Sequence, residues 1–168
     1  MANSELLFQS AQQLGVLIKA RKVSPVEVTE AFLSRSEALN PKINAYITIT
    51  RDHAMAAARA AEKEIIAGKY RGPLHGIPYA PKDILATKGI LTTNGSKVTA
   101  TNVPDYESTI TSRLNGAGAI LIGKLNLLEF AMGSGVMSGF GPARNPWHLE
   151  YSPAGSSSGS GAALAAYM

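Results

Sequence analysis

Residues 152–168 read SPAGSSSGSGAALAAYM. Gly155 to Gly161 has the composition of a flexible linker. Yet the run passes directly into Ala162–Ala166, which is helix-forming, and a linker must join two things while only a few residues follow. Gly-rich turns ahead of helices also cradle phosphates with backbone N–H groups. The Walker pattern would need a lysine, and none lies between Gly155 and Met168; the dinucleotide pattern would need a later acidic residue, and none follows. Gly155-Ser156-Ser157-Ser158-Gly159 matches G-x-S-x-G, but a nucleophile elbow needs a strand before it and its histidine after it. Tyr151–Gly155 reads as a turn, and His53, His75 and His148 all precede the serines. The fourth reading pairs serine hydroxyls with a lysine base, a known variant of triad chemistry.

Working outward, Lys82 stands out among the lysines. It follows GIPYAP (76–81), an apolar, proline-punctuated segment expected to be buried. Burial disfavours the ammonium and so provides the neutral amine that a general base requires. If the segment is extended, Asp83 points away from Lys82 and reads as structural.

The rest of the chain alternates helices with short strands. Ser10 and Gln13 form a candidate capping box ahead of Leu14, Leu17 and Ile18. Ser24-Pro25-Val26-Glu27 is a stronger start signal, and Asn40-Pro41 is expected to end that helix. INAYITI (43–49) alternates like a strand, and the Ala-rich segment 51–68 is helical, closing at Gly68. Residues 72–97 turn Gly-, Pro- and Thr-rich. A helix near 108–114, a buried strand over 118–124 and one or two helical turns over 126–133 follow. A second irregular stretch (135–155) leads back to the serines. Strands alternating with helices favour an α/β sheet.

Composition bounds the classes. The chain has 168 residues, with 45% hydrophobic and 17% charged, the balance of a globular domain rather than a disordered one. The net charge of +4 is scattered, without a Lys/Arg block that would mark a nucleic-acid or anionic-membrane surface. There is no cysteine, which removes disulfides, thiolate nucleophiles and Cys-zinc sites and suits a reducing compartment. The first 15 residues lack a signal-peptide pattern. No stretch approaches the roughly 20 apolar residues of a membrane span. A cytoplasmic protein is expected.

Four pieces in order resemble the amidase signature enzymes: LHGIPYAPKDILATKGILTTNGSK (74–97), GAILIGKLNLLEFAMGSG (118–135), GPARNPW (141–147) and SPAGSSSGSGAALAA (152–166). SPVEVTEAFLSR (24–35) extends the likeness into the leading helices, so it covers most of the chain. The resemblance implies an amidase signature α/β fold, a mixed sheet flanked by helices, of which this is the N-terminal part. One partial domain over 1–168 is expected, with leading helices to about residue 68 and the start of the catalytic core from about residue 69. It also implies a Ser–cis-Ser–Lys triad. The family's lysine falls on Lys82 and its bridging serine on Ser156, which makes the Gly155–Ser156 bond cis. Met132, Gly133 and Ser134 fall near the family's acyl pocket, although Phe130 and Met132 read equally as core. Arg144–Trp147 is expected to form a structural turn near the site.

The implied activity is hydrolysis of a carboxamide C–N bond, with no cofactor and no metal. The implied partner is a small amide substrate, with neither nucleic acid nor membrane, and a homo-oligomer or amidotransferase partner subunits can be added. A general amidase is preferred. The alternatives are an amidotransferase A-type subunit in tRNA-dependent amidation and a non-catalytic fragment. The sequence departs from the family in one large respect: the Gly-Gly-Ser motif that carries the nucleophile is absent, and that serine is expected beyond Met168. Ala154 and Ser158 also stand where glycine is usual, and Tyr167 where a small residue is usual.

Overall fold

The computed structural model describes residues 3–132 and 137–168. After a short first turn, α1 (Asn3–Leu6), come α2 (Ala11–Lys19) and α3 (Pro25–Ile43). Both of the latter open with the capping boxes read from the sequence: Ser10 with Gln13, and Ser24 with Glu27, with Pro25 in the first turn. The expected stop at Asn40-Pro41 is corrected. Pro41 sits inside the last turn of α3, which runs on to Ile43. A proline there removes one donor, and Asn44 closes the helix in the left-handed region, φ 52°, donating its N–H to Asn40 O.

Strand β1 (Tyr46–Ile49) leads into α4 (Arg51–Ile66), which is capped by Ala67 and followed by Gly68 with φ +80°. Strand β2 (Pro78–Tyr79), α5 (Thr109–Gly116, capped by Ser108), β3 (Ile120–Leu121) and β4 (Gly123–Leu125) follow. β3 pairs in parallel with β2, and β4 pairs antiparallel with β1. A parallel bridge joins Lys82 to Leu125. The stretch 120–125 thus runs between 46–49 on one side and 78–82 on the other, a small mixed sheet. The chain closes with a 3₁₀ turn (Glu129–Ala131) and α6 (Ser158–Ala165).

Two apolar clusters hold these elements. One joins Leu33 of α3, Tyr46 of β1, Ala58 of α4, Ile120 and Ile122 of the central stretch and Ala163 of α6. The alanines of α4 and α6 let the helices lie close to the sheet. The other cluster packs Leu14, Ile18, Val28, Ile65 and Ile77, fixing the leading helices to the segment that enters β2. Among the described residues, no helix is long and apolar enough to cross a membrane.

Candidate active site

Lys82 is delivered by an extended segment stitched to the central strand. Leu125 N–H donates to Pro81 O and Asp83 N–H donates to Leu125 O, each at 2.9 Å. Consecutive side chains on such a segment point to opposite faces. Lys82 therefore projects one way and Asp83 the other, as the sequence reading expected.

Ser156 arrives from the loop ahead of α6. The Gly155–Ser156 peptide bond is cis. Ser156 O accepts from Leu128 N–H at 3.0 Å, and Gly159 N–H donates to Asn126 O at 2.9 Å. The close approach explains the glycines. A Cβ on Gly155 would lie 2.9 Å from the Leu128 side chain, and one on Gly159 would lie 2.3 Å from Ala45 O and 2.5 Å from Asn126 N. The run is thus held along its length by segment 126–128. Ala154, where glycine is usual in the resembled family, adopts φ 64°, a conformation that glycine takes without a Cβ penalty.

The two half-buried side chains meet: Lys82 Nζ donates to Ser156 Oγ at 2.7 Å. Burial holds the Lys82 ammonium below the usual lysine range, because desolvation penalises the charged form. Chemically, a neutral lysine amine beside a serine hydroxyl can take the hydroxyl proton, and that hydroxyl can accept one from another donor.

On the substrate side, Met132 is 75% exposed and Phe130 is 44% exposed, so neither belongs to the core. Of the helical turns expected over 126–133, one short 3₁₀ turn (Glu129–Ala131) forms among the described residues, with Phe130 and Ala131 in the left-handed region at φ 50° and 57°. Its backbone is fixed by Phe130 N–H to Asn94 O and Ala131 N–H to Leu128 O. Gly133 and Ser134 lie outside the described residues. The 144–147 turn forms, with Arg144 N–H on Ile43 O, but Trp147 is 85% exposed rather than packed.

One feature of the surroundings was missed in the sequence: Lys124. It has no solvent exposure, lies 3.0 Å from Asp83 Oδ1 and donates to Thr92 Oγ1 at 2.7 Å. Burial pushes its ammonium down, opposed by the Asp83 carboxylate. A signal existed: a lone lysine inside the apolar run AILIGKLNLL (119–128) must find a buried partner. Among the described residues, no group of three or more His, Cys, Asp or Glu side chains is placed to hold a metal ion.

A family model described as Amidase matches residues 27–168. The A-type subunit of the glutamyl-tRNA(Gln) amidotransferase of Geobacter metallireducens is 53% identical over 163 residues, 96% of this chain and 33% of that protein. The native peptide amidase of Stenotrophomonas maltophilia superposes with a TM-score of 0.86 at 34% identity, over 93% of this chain and 34% of that one. A fatty acid amide hydrolase gives a TM-score of 0.92 at 29% identity, over 98% of this chain and 29% of that one. The chain spans about a third of the length of the curated relatives it matches.

Proposed function

Because the chain belongs to the amidase family, we propose that it supplies the lysine base and bridging serine of a site that hydrolyses a carboxamide C–N bond. The observation that carries this reading is the 2.7 Å contact between Lys82 Nζ and Ser156 Oγ. Neutral Lys82 takes the proton of Ser156, and Ser156 takes that of a nucleophilic serine as it attacks the amide carbonyl. The relay run backwards protonates the leaving nitrogen, and water then releases the acid. No Gly-Gly-Ser motif occurs in these 168 residues, so the proposed relay needs a nucleophile from outside them. Met132, Gly133 and Ser134 are proposed to border the acyl side of the substrate.

Between the family's branches, identity favours the amidotransferase type over the general amidase preferred from sequence. The relative named for that type is 53% identical, against 34% for the peptide amidase. On this reading the amide is that of glutamine, the ammonia serves amidation of a glutamyl-tRNA, and partner subunits complete the assembly. A cytoplasmic location goes with this reading.

The test is a chimera in which this chain replaces the matching third of the Geobacter metallireducens relative, assayed for ammonia release from glutamine. Lys82→Met and Ser156→Ala should each lower kcat by about 10²–10⁴-fold, the usual contribution of a positioned acid–base group. Undiminished turnover in Lys82→Met refutes the relay.

A further inference from the structure

Lys124 and Asp83 form an ion pair with no solvent exposure that the proposed relay does not use. Such pairs are weak evidence for stability, since the desolvation cost can exceed the attraction, and a better-attested use is to fix one arrangement among alternatives. The surroundings show which arrangement is at stake here.

Asp83 is hydrogen-bonded through one carboxylate oxygen, and the other makes only the ion-pair contact. Oδ2 accepts from the N–H and the hydroxyl of Thr93, and Oδ1 faces Lys124 Nζ at 3.0 Å. Lys124 is also seated on Thr92 Oγ1. Asn94 N–H closes on Asp83 O, and Asn94 O receives Phe130 N–H. The pair therefore ties three segments together: 81–83, 92–94 and 124–130. Ser156 is bound to the third of these through Leu128 N–H, and α6 is bound to it through Asn126 O. Both members of the Lys82–Ser156 contact thus hang from the stretch 124–128, Ser156 through one set of hydrogen bonds and Lys82 through the neighbour on its own segment.

We propose that Lys124 and Asp83 are positioning residues: their buried pairing fixes the segment that carries Lys82 against the central strand and so sets Lys82 Nζ within reach of Ser156 Oγ. Backbone pairing to Leu125 aligns the segment along the strand. The ion pair adds a side-chain anchor on the face opposite Lys82 and resists rotation of the segment about its axis. That rotation is the motion that would swing Lys82 away from Ser156. The inference concerns geometry and builds on the proposed relay only in giving that geometry a purpose.

The experiment is done on the 168-residue protein. The NOE between the Lys82 Hε and Ser156 Hβ protons reports proximity, and circular dichroism reports folding. The variants are Lys124→Met, the charge-neutral double variant Asp83→Asn/Lys124→Met, and Thr92→Val, which removes only the hydroxyl under Lys124. The double variant leaves no buried charge unpaired and Thr92→Val is nearly isosteric, so both keep the test available if Lys124→Met does not fold. The expected result is a several-fold loss of the cross-peak in each variant that retains the wild-type dichroism. A full-strength cross-peak in the folded double variant overturns the proposal and leaves the pair a purely structural one. The Lys82 titration midpoint, followed in the wild type, separates this from the relay reading. A Lys82 that titrates like an exposed lysine counts against the neutral base while the NOE series still decides the positioning role.

Discussion

Gly159 is the position where the geometry makes its sharpest demand. An alanine Cβ there would lie 2.3 Å from Ala45 O, 2.5 Å from Asn126 N and 2.7 Å from Asn126 O. All three neighbours are backbone atoms, so no side chain can swing aside. Ala45 and Asn126 have no solvent exposure and are joined to each other by Asn126 N–H to Ala45 O, which stiffens the wall. Relief must come from moving α6 outward, which stretches the Gly159 N–H bond to Asn126 O. Overpacking of this kind costs about 1–3 kcal/mol, and with three backbone contacts the upper end, about 3 kcal/mol, applies. For a domain of this size 1 kcal/mol is about 2–4 °C in Tm, so Gly159→Ala should melt about 6–12 °C below the wild type. Gly161, two residues further along the same helix, is the internal control. Its nearest foreign atom is Pro153 O at 3.5 Å, an ordinary contact. There an alanine gains helix propensity, and Gly161→Ala should stabilise by about 0.5–1 kcal/mol. Thermal unfolding followed by circular dichroism on both variants decides it. If Gly159→Ala melts within a degree or so of the wild type, or if the two variants shift together, close backbone approach is not what fixes the serine loop.

Ala154 holds φ 64°, so Ala154→Gly should relieve about 1 kcal/mol of left-handed strain, partly offset by the looser unfolded chain, and chemical denaturation should show a small rise in midpoint. Ser24→Ala removes the hydroxyl that accepts from Glu27 N–H and should cost about 1 kcal/mol in the same assay. His75 is buried, accepts from Arg71 N–H on Nδ1 and places Nε2 3.3 Å from Glu64 Oε2. Burial lowers its proton affinity; the Arg71 charge lowers it further, and the Glu64 carboxylate opposes both. A folded value below the unfolded one means that the unfolded chain binds the proton more readily. The stability is therefore present above about pH 6.5 and lost as pH falls from there through the folded value; urea midpoints across pH 5–8 should decline on the acid side, and a flat profile refutes the assignment.

How much of this was legible in sequence differs by element. The caps of α2 and α3 were readable because a capping box is a local exchange of hydrogen bonds over four residues. The end of α3 was misread because the cost of Pro41 is one missing donor in a last turn, and Asn44 compensates in a way visible only in its φ. Phe130 and Ala131 show the same limit: the apolar spacing indicated a helical turn and a short one forms, but hydrogen bonds to Asn94 and Leu128 hold its left-handed residues. Lys124 was passed over although its charge in an apolar run was visible, because its partner is 41 residues away in sequence (124 − 83) and nothing local names it.

The sequence by itself determined the ordered motifs that identify the family and the face on which Asp83 lies, and the proline-rich apolar approach singled out Lys82 as a candidate base. These rest on composition and on the two-residue period of an extended chain, which are local properties. Only the tertiary structure decided what holds GSSSGSG in place. Linker-like composition becomes a fixed loop because Leu128, Asn126 and Ala45 press on its backbone, and contacts between residues far apart in the chain are what bring Ser156 to Lys82.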